Sequence, residues 1–269
     1  VLYAHFESRV PEFDACRRRD AKEDSKRPLL VAIVPGAFYE EHPETGADGR
    51  DLISLSAEAD WQAERIQTLS LGAPRENAEE INAFLKRKLP THRIDLVSLS
   101  KGTLDAETAR SMNPSVFEQL SGWVSVSGIP HGTRMADWLL DRWLLRPILE
   151  LILWRHGADR QAVRSMRHQP GVWRNSRTPA DFPMIHISAF PLQRHLSCRR
   201  SRLWYSRFKG SGPNDGVVML EDLLQLHGIV IPIWGADHYL QGEWDVPRAV
   251  ANIVGWLDGN ELAEEERVA

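Results

Sequence analysis

A serine between small residues, at the end of an apolar run, is the feature of this sequence that most directly suggests chemistry. Ser100 follows the apolar run 94–99 and precedes a helical pattern. A sharp strand-to-helix turn of this kind exposes a serine hydroxyl above a sheet and requires small residues two positions before and after it. Gly102 meets the second requirement, and Ser98 stands where glycine is usual. The pattern predicts a nucleophilic Ser100; the alternative is a plain turn in which Ser100 caps the helix.

A nucleophilic serine needs a base and a group that orients the base, and both have candidates later in the chain. Asp215 lies in the turn sequence Asn-Asp-Gly, and His238 follows the last apolar run. Taken alone, Asn-Asp-Gly is a common structural turn, and His238 could be an ordinary surface histidine. Their order along the chain and their positions after strand patterns favour a Ser-His-Asp arrangement of Ser100, His238 and Asp215.

Backbone donors for a developing oxyanion are predicted next to the first strand. Val34-Pro35-Gly36-Ala37-Phe38 follows an apolar run, and glycine permits a tight turn there. The N–H of Ala37 or Phe38, together with that of Lys101 directly after the nucleophile, would form an oxyanion hole.

Composition excludes several other classes of protein. The chain has 269 residues, a formal charge of −4 and two cysteines. This length suits a single domain over 1–269, and the charge gives no reason to expect nucleic acid as a partner. No apolar stretch is long enough for a transmembrane segment. The motifs of metal and nucleotide enzymes are lacking, so we expect no metal and no cofactor. The sequence leaves the oligomeric state and the compartment open, with the cytoplasm slightly favoured.

Short apolar runs alternate with helical patterns, which predicts a doubly wound α/β fold with a parallel sheet. Helices are expected at 78–89, with Asn77 as the N-cap, at 103–112 and at 248–257. The strands are expected at 28–34, 65–71, 94–99, 123–127, 184–189 and 229–234.

Two segments interrupt this alternation. The segment from 131 to about 179 is rich in tryptophan and leucine and predicts two apolar helices hinged at Pro147. Leu139 and Trp143 are four residues apart, so one helical stripe could carry both into a substrate pocket. Ordinary core packing is the alternative for this insertion. The segment 191–209 is rich in arginine, and we expect a solvated surface loop there.

These motifs together resemble the α/β-hydrolase superfamily from about residue 29 to 257. The Pro-Gly-Ala-Phe loop, the Ser-Leu-Ser-Lys-Gly turn, the Asn-Asp-Gly-Val-Val turn and the Gly-Ala-Asp-His segment fall in the order of that family. The Val-Pro-Gly and Asn-Asp-Gly-Val-Val stretches look most like the lipase and esterase branches. The resemblance implies a mostly parallel, eight-stranded sheet with helices on both faces, an acyl-enzyme mechanism and a helical cap.

The function expected from the residues and the resemblance is hydrolysis of small-molecule carboxylic esters. An acyltransferase or a thioesterase could use the same side chains. A catalytically inactive member that binds a ligand or a partner is the alternative from another class, and Ser98 is the feature in its favour.

Overall fold

In the part of the chain that the structure describes, the central sheet has six strands, all parallel. The computed structural model describes residues 27–57, 61–155, 160–169, 183–223, 227–239 and 245–257. Within these ranges the strand order is β2-β1-β3-β4-β5-β6. The strands are β1 (Leu29–Val34), β2 (Gln62–Arg65), β3 (Arg93–Leu99), β4 (Gly122–Val126), β5 (Met184–Phe190) and β6 (Ile229–Trp234).

Helices cover both faces of the sheet and bury nearly continuous apolar strands such as β1. Three helices and the strand side chains beneath them form one core cluster, and the first and last helices form a second on the opposite face. The helices are α1 (Arg50–Ser56), α2 (Pro74–Lys88), α3 (Lys101–Met112), α4 (Pro114–Phe117), α5 (Arg134–Asp141), α6 (Arg146–Arg155), α7 (Arg160–Ser165), α8 (Arg199–Phe208), α9 (Leu220–Leu223) and α10 (Val246–Leu257). Helices α2, α3 and α4 cover the first face, and α1 and α10 the second.

The predicted count of eight strands is wrong for the part of the chain described, since the sheet there has six. The number eight came from the resemblance, whereas the sequence itself offers six apolar runs. One of those runs is also misplaced. The edge strand β2 is the polar segment before the predicted run 65–71, and its side chains are partly exposed. Ile66 and Leu71 are buried although they lie in a loop, because burial of apolar side chains does not require strand pairing.

The predicted N-cap at Asn77 is also wrong. Helix α2 begins at Pro74, a residue well suited to a first helical turn. Asn77 lies inside the helix, where it accepts a hydrogen bond from the Leu69 N–H at 2.9 Å and donates one to the Leu69 carbonyl at 3.1 Å. Its side chain therefore holds the loop after β2 rather than the helix end.

The insertion after β4 consists of α5, a short 3-10 turn at Trp143–Leu145, α6 and α7. The helical conformation is interrupted at Arg142, whose backbone is extended, and not at Pro147, the predicted hinge. Pro147 lies in the first turn of α6, where its missing N–H costs no helical hydrogen bond. Positions 156–159 and 170–179 of the predicted insertion lie outside the described residues. Within the described ranges, no helix has the length and apolar character needed to cross a membrane.

The arginine-rich segment is not a loop throughout, because residues 199–208 form helix α8, although its arginines are exposed to solvent as predicted. Trp204 and Phe208 on this helix are buried. Trp204 meets Trp138 of α5 edge to face, with ring centroids 5.2 Å apart. The Arg207 guanidinium lies 4.1 Å from the Trp138 ring centroid. Arg207 of α8 thus covers an aromatic contact with the insertion.

Candidate active site

Ser100 occupies a strained turn between β3 and α3. Its backbone has φ 48° and ψ −114°, a positive φ that is costly for a residue other than glycine. The turn is held by hydrogen bonds to the next strand and the turn after it. The Ser100 N–H donates to the Val126 carbonyl at 3.0 Å, and the Ser100 carbonyl accepts from the Ile129 N–H at 3.1 Å. The neighbouring backbone therefore fixes the conformation of Ser100.

Small residues around Ser100 are required by close backbone approaches. A Cβ atom at Gly102 would lie 2.5 Å from the carbonyl oxygens of Val34 and Pro35. A Cβ atom at Gly36 would lie 3.4 Å from the Ser100 Cβ. The loop after β1 therefore reaches the serine on one side, and only glycine fits at position 102 without a rearrangement.

Ser98 has a structural role in the strand before Ser100. It is completely buried on β3, directly behind Ser100. The Trp123 indole N–H donates to the Ser98 hydroxyl at 2.8 Å. That hydroxyl also lies 2.8 Å from the Thr103 hydroxyl, which in turn lies 3.1 Å from the Ser125 hydroxyl. This buried polar network joins β3, β4 and the start of α3 beneath the turn.

The side chains of Ser100, His238 and Asp215 form one hydrogen-bonded chain. Ser100 Oγ lies 3.0 Å from His238 Nε2, and His238 Nδ1 lies 2.9 Å from Asp215 Oδ2. Asp215 is 1% exposed, and His238 is 9% exposed. An ionised carboxylate only accepts hydrogen bonds, so His238 donates from Nδ1 and leaves Nε2 to accept the serine proton. This arrangement can deprotonate a serine hydroxyl during attack on an electrophile.

The carboxylate of Asp215 is oriented by the backbone of its own turn. Its Oδ1 accepts hydrogen bonds from the N–H groups of Val217 at 2.8 Å and Val218 at 2.7 Å. Gly216 has φ 101°, a conformation that favours glycine. The turn sequence therefore aims the other oxygen, Oδ2, at His238.

Asp237, directly before His238 in the chain, has a structural role beside the site. Its Oδ2 accepts hydrogen bonds from the N–H and the hydroxyl of Ser197 at 2.8 and 2.6 Å. Its Oδ1 accepts from the Tyr239 N–H at 3.1 Å. Asp237 thereby fixes the loop that carries His238.

The residue after the serine carries a buried ion pair. Lys101 Nζ lies 2.9 and 2.7 Å from the two carboxylate oxygens of Asp105, and both side chains are 1% exposed. The Asn77 amide donates a further hydrogen bond to Asp105 at 2.7 Å. Burial raises the pKa of the Asp105 carboxyl, and the Lys101 ammonium opposes that rise. The pair anchors the first turn of α3 to α2.

A mainly apolar cavity of about 190 Å³ opens beside the hydroxyl of Ser100. The three residues predicted to supply backbone donors, Ala37, Phe38 and Lys101, all line it. So does Leu139, one of the two predicted substrate-binding residues. Trp143 does not line the cavity, and its side chain is 70% exposed. Since α5 ends at Asp141, Leu139 and Trp143 do not share a helix, and the predicted common stripe is wrong.

The insertion supplies much of the remaining cavity wall. Met135 and Ala136 of α5, Leu153 of α6 and Val163 of α7 line it together with Met166. Thr133, just before α5, donates a hydrogen bond to the Val217 carbonyl at 2.7 Å, which ties the insertion to the turn of Asp215. Among the described residues, no group of three or more histidine, cysteine or acidic side chains could hold a metal ion.

Solved structures with this arrangement of strands and helices include known hydrolases. A metagenomic carboxyl esterase matches 88% of this chain over 77% of its own, with a TM-score of 0.65 and 16% sequence identity. The mature form of a lipase from Bacillus licheniformis matches 89% of this chain over 94% of its own, with a TM-score of 0.62 and 15% identity. No family model and no curated protein sequence matches the chain. The chain therefore has the α/β-hydrolase fold, as the sequence motifs predicted.

Proposed function

We propose that the protein hydrolyses carboxylic esters, with Ser100 as nucleophile, His238 as general base and Asp215 as the residue that orients the imidazole. The observation that carries the proposal is the hydrogen-bonded chain from Ser100 Oγ through His238 to Asp215, at 3.0 and 2.9 Å. The strained backbone of Ser100 supports it, because such strain concentrates at functional positions. The carboxyl esterase and the lipase that share this fold support the same class of chemistry.

In the proposed first half-reaction, Ser100 Oγ attacks the ester carbonyl while His238 Nε2 takes the hydroxyl proton. The carbonyl oxygen becomes an oxyanion. The N–H of Lys101 and that of Ala37 or Phe38 would stabilise this charge, since these residues line the cavity next to Ser100. Collapse of the intermediate breaks the bond to the alcohol oxygen, which leaves with the proton from His238.

In the second half-reaction, water attacks the acyl-serine ester. His238 takes a proton from the water and then returns one to Ser100 Oγ as the carboxylic acid departs. Asp215 keeps Nδ1 protonated throughout and stabilises the imidazolium that forms twice in each cycle. No cofactor enters this scheme.

The insertion serves in this proposal as a cap that forms an apolar acyl pocket. The support is the set of side chains from α5, α6 and α7 that line the cavity, Leu139 among them. Apolar walls around a few polar groups are typical of small-molecule sites. A short-chain acyl group would therefore lie against the insertion.

Covalent labelling of the wild-type protein by a fluorophosphonate tests the proposal directly. We expect one label per chain, located on Ser100 by peptide mapping, and hydrolysis of p-nitrophenyl butyrate. Ser100→Ala should abolish labelling and lower turnover by about four to six orders of magnitude. Ser111→Ala, an exposed serine near the far end of the same helix, is the matched control and should behave as wild type.

Labelling that persists in Ser100→Ala would contradict the assigned nucleophile. A wild-type protein that neither reacts with the fluorophosphonate nor cleaves any ester would indicate an inactive binding protein instead. Parallel assays with a thioester, and with an alcohol acceptor in excess over the ester, separate hydrolysis of esters from thioesterase or acyltransferase activity.

A further inference from the structure

The turn after β4 places a second serine, whose hydroxyl is buried, in the wall of the cavity. Ser127 lines the same cavity as Ser100, is 2% exposed and has φ 45°. Hydrogen bonds to Ser100 hold the backbone on both sides of Ser127. The Val126 carbonyl accepts from the Ser100 N–H, and the Ile129 N–H donates to the Ser100 carbonyl. The N–H of Ser127 donates to the Ile187 carbonyl at 2.8 Å. The backbone thus fixes a strained serine directly beside the proposed nucleophile.

The Ser127 hydroxyl has no hydrogen-bond partner among the residues that the structure describes. The neutral polar side chains around it in the cavity are paired. Ser100 meets His238, Thr133 donates to the Val217 carbonyl and Thr45 donates to the His42 carbonyl. An unpaired buried hydroxyl is costly, and most buried polar groups in proteins are satisfied. A group that enters the cavity with the substrate would supply the missing partner.

The residue after Ser127, and not Ser127 itself, lies closest to the polar network beneath the turn. A Cβ atom at Gly128 would lie 2.3 Å from the Ser125 hydroxyl and 2.5 Å from that of Thr103. Position 128 therefore lies against the network of Ser98, Thr103 and Ser125. Ser127 itself contributes to the cavity wall, where the other lining residues are mainly apolar.

We propose that Ser127 is a specificity-determining residue whose hydroxyl binds a polar substituent of the substrate close to the scissile carbonyl. The favoured substrates are then esters that carry a hydroxyl or carbonyl oxygen near that carbonyl, rather than plain alkyl esters. A serine hydroxyl both donates and accepts, so either group would pair with it. This inference rests on the proposed ester hydrolysis and names the substrate class of that site.

The experiment compares kcat/KM for paired esters by pH-stat titration. Ethyl 3-hydroxybutyrate against ethyl butyrate tests a substituent on the acyl side, and 2-hydroxyethyl butyrate against ethyl butyrate tests the alcohol side. We expect the wild type to prefer the hydroxylated member of one pair by about ten-fold, the scale of one hydrogen bond. In Ser127→Ala and Ser127→Gly the preference should disappear. Glycine suits the positive φ, so the second variant guards against misfolding of the first.

Ser125→Ala is the matched control, because Ser125 is buried on β4, two residues before Ser127, but does not line the cavity. It should keep the wild-type preference. No preference in the wild type, or a preference that survives in both Ser127 variants, would overturn the inference.

A binding measurement separates failure of this inference from failure of the proposed function. In a Ser100→Ala background, calorimetry should show that ethyl 3-hydroxybutyrate or 2-hydroxyethyl butyrate binds more tightly than ethyl butyrate. Adding Ser127→Gly should remove that difference. Equal binding of the two esters would overturn the role of Ser127 even if no ester is hydrolysed, whereas hydrolysis without discrimination would leave the proposed function standing.

Discussion

The carboxyl edge of the sheet and the insertion after β4 contrast sharply in how they are held. Around Ser100, hydrogen bonds to neighbouring strands and turns hold the backbone. The polar side chains beneath the turn are buried and hydrogen-bonded to one another. The insertion instead exposes large apolar side chains. Their exposed fractions run from 57% to 78%, at Trp143, Leu144, Ile148, Leu151 and Trp154. The proposed chemistry thus rests on the hydrogen-bonded sheet edge, whereas the insertion contributes apolar side chains to the proposed acyl pocket.

The contrast teaches where a substitution should act. Precise placement of reacting groups is worth several orders of magnitude in rate, so small changes at the sheet edge should be costly. The insertion contributes only a wall to the cavity, and changes on its outer face should be nearly silent. The predictions below run from the most sensitive position to the least.

After Ser100→Ala, Asp215→Asn should have the largest effect on activity. The amide would still fill the turn, but it can present an N–H to His238 and so favour the wrong tautomer of the ring. We expect kcat on p-nitrophenyl butyrate to fall by about 10⁴-fold, the loss found when such an acid is neutralised elsewhere. Circular dichroism should remain that of the wild type.

Asp141→Asn is the control on the insertion, since its carboxylate is 63% exposed and contacts Arg167 at 2.6 Å. It should retain most of the wild-type rate. Similar losses in the two variants would mean that Asp215 has no special relation to His238.

Ser98→Gly should lower stability although glycine is the residue usual at this position of the turn. It removes the acceptor of the buried Trp123 N–H and adds backbone freedom to the unfolded chain. We expect the free energy of unfolding in urea to fall by about 2–3 kcal/mol. Ser98→Ala removes the same hydrogen bond without the added backbone freedom of glycine, so its free energy of unfolding should fall by less. A Ser98→Gly protein as stable as the wild type would show that the network contributes nothing.

Steric requirements explain why so much of the site was predictable from sequence. Gly102 and the residues around Ser100 are restricted by close backbone approaches, and such restrictions leave a short local pattern. The Asp215 turn is similar, because its own N–H groups orient the carboxylate. The structure brings the three predicted side chains together in one hydrogen-bonded chain, and their catalytic roles remain a proposal.

Contacts between distant segments explain what the sequence did not reveal. Asn77 has the composition of an N-cap, but its true partners are Leu69 and Asp105, which only the fold brings near. The arginine-rich segment suggested a loop because Trp138, against which Trp204 of α8 packs, lies in another segment. The edge strand β2 is polar and short, whereas the segment that follows it is apolar. The prediction therefore placed the strand in that following segment.

Trp143→Ala should have the smallest effect and bears most directly on the cap. Its side chain is 70% exposed and does not line the cavity, so the loss removes little buried area. We expect the melting temperature to change by about 2 °C or less, and the preference among butyrate, octanoate and laurate esters to stay the same. Leu139→Ala is the informative partner, because Leu139 does line the cavity. It should shift the chain-length preference. If Trp143→Ala shifted the preference and Leu139→Ala did not, the acyl pocket would lie on the outer face of the insertion, and the cavity beside Ser100 would not be the acyl site.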